Sequence, residues 1–196
     1  FENPNYLAVD LVIHGRAMPG KMTLELEGNA PVKRLTYELK ARSQDNGRTR
    51  IRGVTSDDLI YLLMPDRFCN GDPSNDRVPG MKDQSLDRTN MWARHGGDLK
   101  GIEDKLDYLE SLGVTAVWLN PVIVNDMPER TEHGYAFTDH YTVDPRLGGN
   151  AAYKSLANAL HRRGMKLIQD AVYNHVGTEH FLFKDLPDST WFHFWP

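Results

Sequence analysis

The chain has 196 residues, 40% hydrophobic and 26% charged, enough for one sizeable core or for a small domain beside part of a larger one. A net charge of −4 and a pI near 6.1 offer no basic surface to nucleic acid, and no apolar run approaches the roughly 20 residues that span a bilayer. Cys69 is the single cysteine, which excludes an internal disulfide.

Phe1 in place of an initiator methionine is expected to mark a processed or trimmed N-terminus, so the lack of a leader says nothing about secretion. The expected location is extracytoplasmic, periplasmic or secreted. Up to Ser56 the chain reads as short alternating runs, Tyr6–Ile13, Met22–Leu26 and Leu35–Ala41. Pro19-Gly20, Gly28-Asn29 and Asn46-Gly47 divide them as turns. In Met22–Leu26 every second residue is apolar, as in a strand with one buried face. Residues 1–56 are therefore expected to form the C-terminal part of an N-terminal antiparallel β-sandwich, with further strands upstream of Phe1.

From Asp57 onward strands alternate with helices. Leu59–Met64 is a continuous apolar run, expected as a strand covered on both faces. Leu99, Ile102, Leu106 and Leu109 recur at helical spacing, and Gly113 supplies the stop. Val114–Leu119 is the second buried strand. Asn150 is placed to cap a helix with Tyr153, Leu156, Ala157 and Leu160 on its inner face, closed by Gly164. Met165–Val172 is the third strand. This order implies right-handed crossovers and a parallel sheet. Residues 65–98 and 120–149 are long loops at the carboxyl ends of the first two strands, where a (β/α)8 barrel builds its active site. A doubly wound sheet would carry a Gly-rich phosphate turn after its first strand, and none is present. The fold expected over residues 57–196 is α/β, the first three βα units of a (β/α)8 TIM barrel.

Three places carry chemistry. In the first loop Asn70, Asp72, Asn75 and Asp76 set four oxygen-bearing side chains around Gly71 and Pro73. Such a loop suits calcium, with its oxygen ligands and loose geometry; it suits an ion-free Asn/Asp/Gly turn equally well. The second loop holds His133-Gly-Tyr135 and Asp139-His140-Tyr141, which read either as an aromatic and polar surface for a sugar or as an ordinary polar loop. The third strand ends at Asp170, with Asn174 and His175 opening the next loop. His133, His140, His175 and Glu179 match no zinc-ligand spacing.

Asp170-Ala-Val-Tyr-Asn174-His175 resembles the first conserved region of the alpha-amylase family, and Gly113-Val-Thr-Ala-Val-Trp-Leu-Asn-Pro121 its second-strand motif. His133-Gly-Tyr135 matches the second-loop motif, and Met64–Asp76 resembles the stretch after strand one in neopullulanases, cyclomaltodextrinases and cyclodextrin glucanotransferases. All four stand in the family's order within residues 57–196.

The resemblance implies a retaining hydrolase acting on α-1,4-glucosidic bonds of starch, pullulan or cyclodextrins. It puts the nucleophile after the fourth barrel strand, the acid after the fifth and a further carboxylate after the seventh, so no catalytic residue is assigned in this chain. It implies that Tyr135 stacks under the sugar, that His175 and His133 hydrogen-bond its hydroxyls, and that Asp170 supports them. Residues 176–196, with Trp191, Phe192, Phe194 and Trp195, would open the excursion after strand three. In many family members Asn174 ligates calcium. By the same resemblance one calcium ion would be held by the side chains of Asn70, Asp72, Asn75, Asp76 and Asp98 and by the Gly96 carbonyl. The expected partners are an α-glucan and a second copy of the full-length protein, with neither nucleic acid nor membrane. The rival reading is a non-catalytic relative of the same family used for carbohydrate binding or interaction.

Overall fold

A computed structural model describes residues 2–28, 33–42, 44 and 53–193. The Asn46-Gly47 turn, Asn29, Phe194 and Trp195 lie outside them. The chain divides into two compact units, Leu7–Gly53 and a larger one made of Phe1–Tyr6 with Val54–Pro196.

In the smaller unit β1 (Gly20–Leu26) pairs antiparallel with β2 (Lys33–Leu39), Gly20 opposite Leu39 and Leu26 opposite Lys33. The face that alternation marks for burial is half-buried only at Leu24, Leu26 and Leu39, while Met22, Leu35 and Tyr37 are exposed. Two strands cannot cover their own apolar face; a sandwich needs an opposing sheet. Tyr6–Ile13, expected as a strand, has no strand conformation, and Leu7, Val9 and Val12 are exposed.

The larger unit is built on the parallel sheet β3 (Ile60–Leu63), β4 (Ala116–Leu119), β5 (Lys166–Gln169), in that spatial order. Leu62, Trp118 and Ile168 are neighbours across it. One face packs on helices: Leu63, Val117 and Leu119 join Leu99, Ile102, Leu106, Leu109, Leu156 and Leu160 in a single core. On the other face Ile60, Leu62 and Trp118 are exposed, so the expected two-sided burial of the first strand is not met within this chain.

The helix expected from Leu99 to Leu109 is two helices, α2 (Leu99–Asp104) and α3 (Leu106–Ser111); the short α1 (Pro65–Phe68) precedes them. The break falls at Lys105, whose N–H bonds back to Ile102 O in a tightened last turn. All four leucine and isoleucine positions still reach the core. In α4 (Gly149–Arg162) the cap is Gly148, in the left-handed region, rather than Asn150. The Asn150 Oδ1 instead accepts from Val143 N at 3.0 Å, which ties the second loop to the helix start. The helix ends as expected at Gly164, with φ +73°. Beyond β5 the described chain holds only α5 (Phe181–Lys184) and a 3₁₀ turn at Ser189–Trp191. The amino-terminal stretch lies against this segment: Asn3 Nδ2 donates to Leu186 O and Tyr6 Oη to Asp185 O.

Candidate functional site

The carboxyl ends of β4 and β5 bring the sugar-binding candidates together. Asp170 follows β5, and its Oδ2 accepts the Tyr135 hydroxyl at 2.9 Å across 35 positions of sequence. His175 Nε2 lies 3.0 Å from Tyr135 O. A carbonyl only accepts, so Nε2 carries the proton and Nδ1 is free to accept from Asn174 Nδ2 at 3.3 Å. His133 Nδ1 accepts Tyr135 N–H at 2.9 Å, and the two rings stack with centroids 5.9 Å apart. Burial, with Arg130 nearby, pushes the His133 pKa down against the pull of Glu132. Burial and the Asp170 carboxylate push the Tyr135 phenol up, so it stays a donor. Tyr135 is 36% exposed, leaving ring surface for a ligand. Gly134 makes this turn feasible: its φ is +80°, and an added Cβ would stand 2.0 Å from Pro121 O.

The first loop folds onto the start of α2. Asp98 is fully buried and caps that helix, with Oδ1 accepting from Gly101 N at 2.6 Å. The same carboxylate accepts from Gly71 N at 3.2 Å and Asp72 N at 2.8 Å, so it fastens loop to helix. Asn75 Nδ2 reaches Asp98 Oδ2 at 3.4 Å, and Asn70 Nδ2 donates to Asp76 Oδ1 at 2.7 Å. Burial, with Asp98 adding repulsion, pushes the Asp76 carboxyl up despite the Asn70 bond. Gly96 has φ +83°, and a Cβ there would stand 2.6 Å from Asp76 Oδ1. Asn70, Asn75, Asp76, Gly96 and Asp98 thus converge. Asp72 does not point with them: its exposed carboxylate caps the turn Pro73–Asn75, accepting from Ser74 N and Oγ.

The Asn70 and Asn75 Oδ1 atoms are buried without a hydrogen-bond partner among the described residues. Two neutral oxygens of this kind beside two carboxylates are donors that a hard cation such as calcium takes. Among the described residues, no three His, Cys, Asp or Glu side chains gather as a metal-holding group.

Sequence reasoning missed a buried polar network between the two loops. Arg146 is fully buried; its guanidinium donates to Asp144, to Asn125 O and to Asp83 O. Thr131 Oγ1 donates to Asp83 Oδ2 at 2.7 Å, and Asp66 accepts from His95 N and Gly96 N. Only the Asp144-Pro145 pair, a cap before a proline-led turn, carried a local signal of this network. A second unforeseen pair is His140 and the fully buried His180, joined ring to ring at 2.9 Å.

Residues 62–194 match the model of the alpha amylase catalytic domain, and residues 1–43 match that of the cyclomaltodextrinase N-terminal domain. Neopullulanase 2 of Thermoactinomyces vulgaris is 43% identical over 65% of this chain and 21% of its own length. The cyclomaltodextrinase of Thermoanaerobacter pseudethanolicus is 40% identical over 67% of this chain and 22% of its own. An Anoxybacillus alpha-amylase structure superposes with a TM-score of 0.62 at 42% identity, covering 70% of this chain and 28% of that one. The chain therefore spans about a fifth of the length of the curated relatives it matches. With its parallel sheet as the opening of a (β/α)8 barrel and its β1–β2 hairpin inside the N-terminal match, the chain belongs to the alpha-amylase family.

Proposed function

We propose that this chain is the N-terminal portion of a retaining α-glucan hydrolase acting on the α-1,4-glucosidic bonds of starch, pullulan or cyclodextrins. The observation that carries this reading is the convergence of Tyr135, Asp170, His175 and His133 at the carboxyl ends of β4 and β5. The relatives' names, neopullulanase and cyclomaltodextrinase, support the substrate class. In this reading Tyr135 presents its ring to the glucose unit at the cleaved bond, and His175 and His133 bind its hydroxyls. Asp170 holds the Tyr135 hydroxyl and thereby its ring. The carboxylates that attack and protonate belong to later strands of the barrel.

The test uses the full-length protein with maltooligosaccharides. Steady release of reducing sugar is expected, and Tyr135→Ala should lower kcat/KM by about 100-fold through loss of substrate positioning. Glucan binding without any hydrolysis would instead establish the non-catalytic reading.

For the first loop we propose one calcium ion, held by Asn70 and Asn75 Oδ1, the Asp76 and Asp98 carboxylates and the Gly96 carbonyl. Asp72 would join only by leaving Ser74. The ion would be structural, offsetting the repulsion between Asp76 and Asp98 at the helix start. Calcium at 100 times its Kd should add about 2.7 kcal/mol of stability. A rise in Tm with calcium, reversed by EDTA and lost in Asp76→Asn, is expected. No bound calcium by elemental analysis and no Tm change would sink the site.

A further inference from the structure

Directly under the Glu132–Tyr135 turn lies a cavity of about 10 Å³, whose wall includes Asp66, Arg94, Asn125, Glu132, Gly134 and Asp144. Arg94, Asn125 and Glu132 are 2%, 1% and 8% exposed. Five of their polar atoms have no hydrogen-bond partner among the described residues: Arg94 Nε and Nη2, Asn125 Nδ2 and Oδ1, and Glu132 Oε2. The nearest substitute, Arg94 Nη2 to Asp66 Oδ1, spans 3.6 Å, an ion pair too long to be a hydrogen bond. Native interiors rarely leave such groups unpartnered, and here the three residues that carry them line one space.

The chemistry of the five atoms selects the occupant. Three are N–H donors and two are acceptors, so the occupant must both accept and donate. An anion would satisfy the donors but face the carboxylates of Glu132, Asp66 and Asp144. A metal cation would satisfy the oxygens but face the Arg94 guanidinium. The volume is the room one water molecule needs and too little for an organic ligand. We infer that the cavity binds one structural water, which donates to Glu132 Oε2 and Asn125 Oδ1 and accepts from Arg94. It joins Arg94 of the first long loop to Asn125 and Glu132 of the second, and so fixes the base of the turn that carries His133 and Tyr135. Glu132, Asn125 and Arg94 are positioning residues in this scheme.

The water itself follows from the cavity; only its effect on substrate rests on the glucan-hydrolase reading. Crystals of the protein, grown with bromide in place of chloride, should show one ordered water within hydrogen-bond distance of all three side chains and no anomalous peak there. A dry cavity, direct pairing among the three side chains, or a bromide peak would overturn the assignment. Glu132→Gln keeps an acceptor and should keep the water; Glu132→Leu should lose it. Retention of the water in Glu132→Leu would overturn Glu132 as its partner; should that variant fail to fold, the wild-type crystal still decides whether the water is present. In the full-length enzyme Glu132→Leu should raise KM for maltooligosaccharide several-fold with kcat nearly held, and Glu132→Gln should leave both unchanged. An unchanged KM in Glu132→Leu would refute the positioning role, whereas an inactive wild type would refute the hydrolase reading alone.

Discussion

His133 shows how a single side chain is set by its immediate contacts. Its Nδ1 accepts Tyr135 N–H, a bond that protonation would destroy, and burial is the largest force holding its pKa below the ordinary histidine range. Because the folded pKa lies below the unfolded one, the unfolded chain takes the proton first. Stability is therefore full above about pH 6.5 and declines as pH falls below it. The imidazole should accordingly stay neutral at pH values where free histidine is half protonated. An NMR titration of the ring checks this, and a His133 midpoint at or above that of ordinary histidine would contradict it. Glu132, on the same turn, pulls the other way, so Glu132→Gln should lower the midpoint further.

Between elements, a small number of polar ties set the register of the sheet. Asp58, just ahead of β3, accepts from Lys166 at the start of β5 at 2.5 Å and from Thr115 Oγ1 ahead of β4 at 2.9 Å. One carboxylate therefore spans all three strands at their amino ends. The Lys166 bond, followed by the Thr55 N–H, holds the Asp58 carboxyl at about 2, below the usual carboxylate range. A depressed carboxylate pKa contributes stability that is present above the unfolded value and is lost as pH falls through the folded one. That window runs from about 4 down to about 2. Asp58→Asn should thus lower Tm at neutral pH, and its deficit against the wild type should close as pH falls through the window. Thermal unfolding at stepped pH measures it; an equal deficit at both ends of the range would show that the charge plays no part.

At the scale of the whole molecule the decisive feature is the uncovered face of the parallel sheet. Ile60, Leu62 and Trp118 stand exposed at 40%, 57% and 38%, on the side opposite the helices. A (β/α)8 barrel turns that side inward and fills it with layers of side chains from all eight strands. Three strands in the order β3-β4-β5 leave both sheet edges and this face without those partners. Under the proposed hydrolase reading, in which the reacting carboxylates belong to later strands, the 196-residue chain alone should release no reducing sugar from soluble starch or cyclodextrin. Enzyme-dependent release by the purified chain would overturn the expectation.

Periodicity and turn chemistry act over a few neighbouring residues, and what depends on them was legible in the chain itself. The three strands, the helices over Leu99–Leu109 and around Leu156, and the stop at Gly164 are of this kind. So is the presence of Tyr135, Asp170 and His175 at strand ends, which short motifs mark. Contact between distant groups was not legible. The Tyr135–Asp170 bond, the Asp98 grip on Gly71 and Asp72, and the Arg146–Asp83 link join residues 35, 26 to 27 and 63 positions apart. Tertiary structure also overruled local expectation: Asn150 turned to the N–H of buried Val143 instead of capping, whereas Asp72 followed local turn chemistry and capped Ser74. The buried Val143 N–H takes this partner because an unpaired group inside the protein costs more than a helix cap contributes. Residue type and spacing therefore determined which groups would stand at the strand ends, and only the packing of two long loops decided what each of them holds.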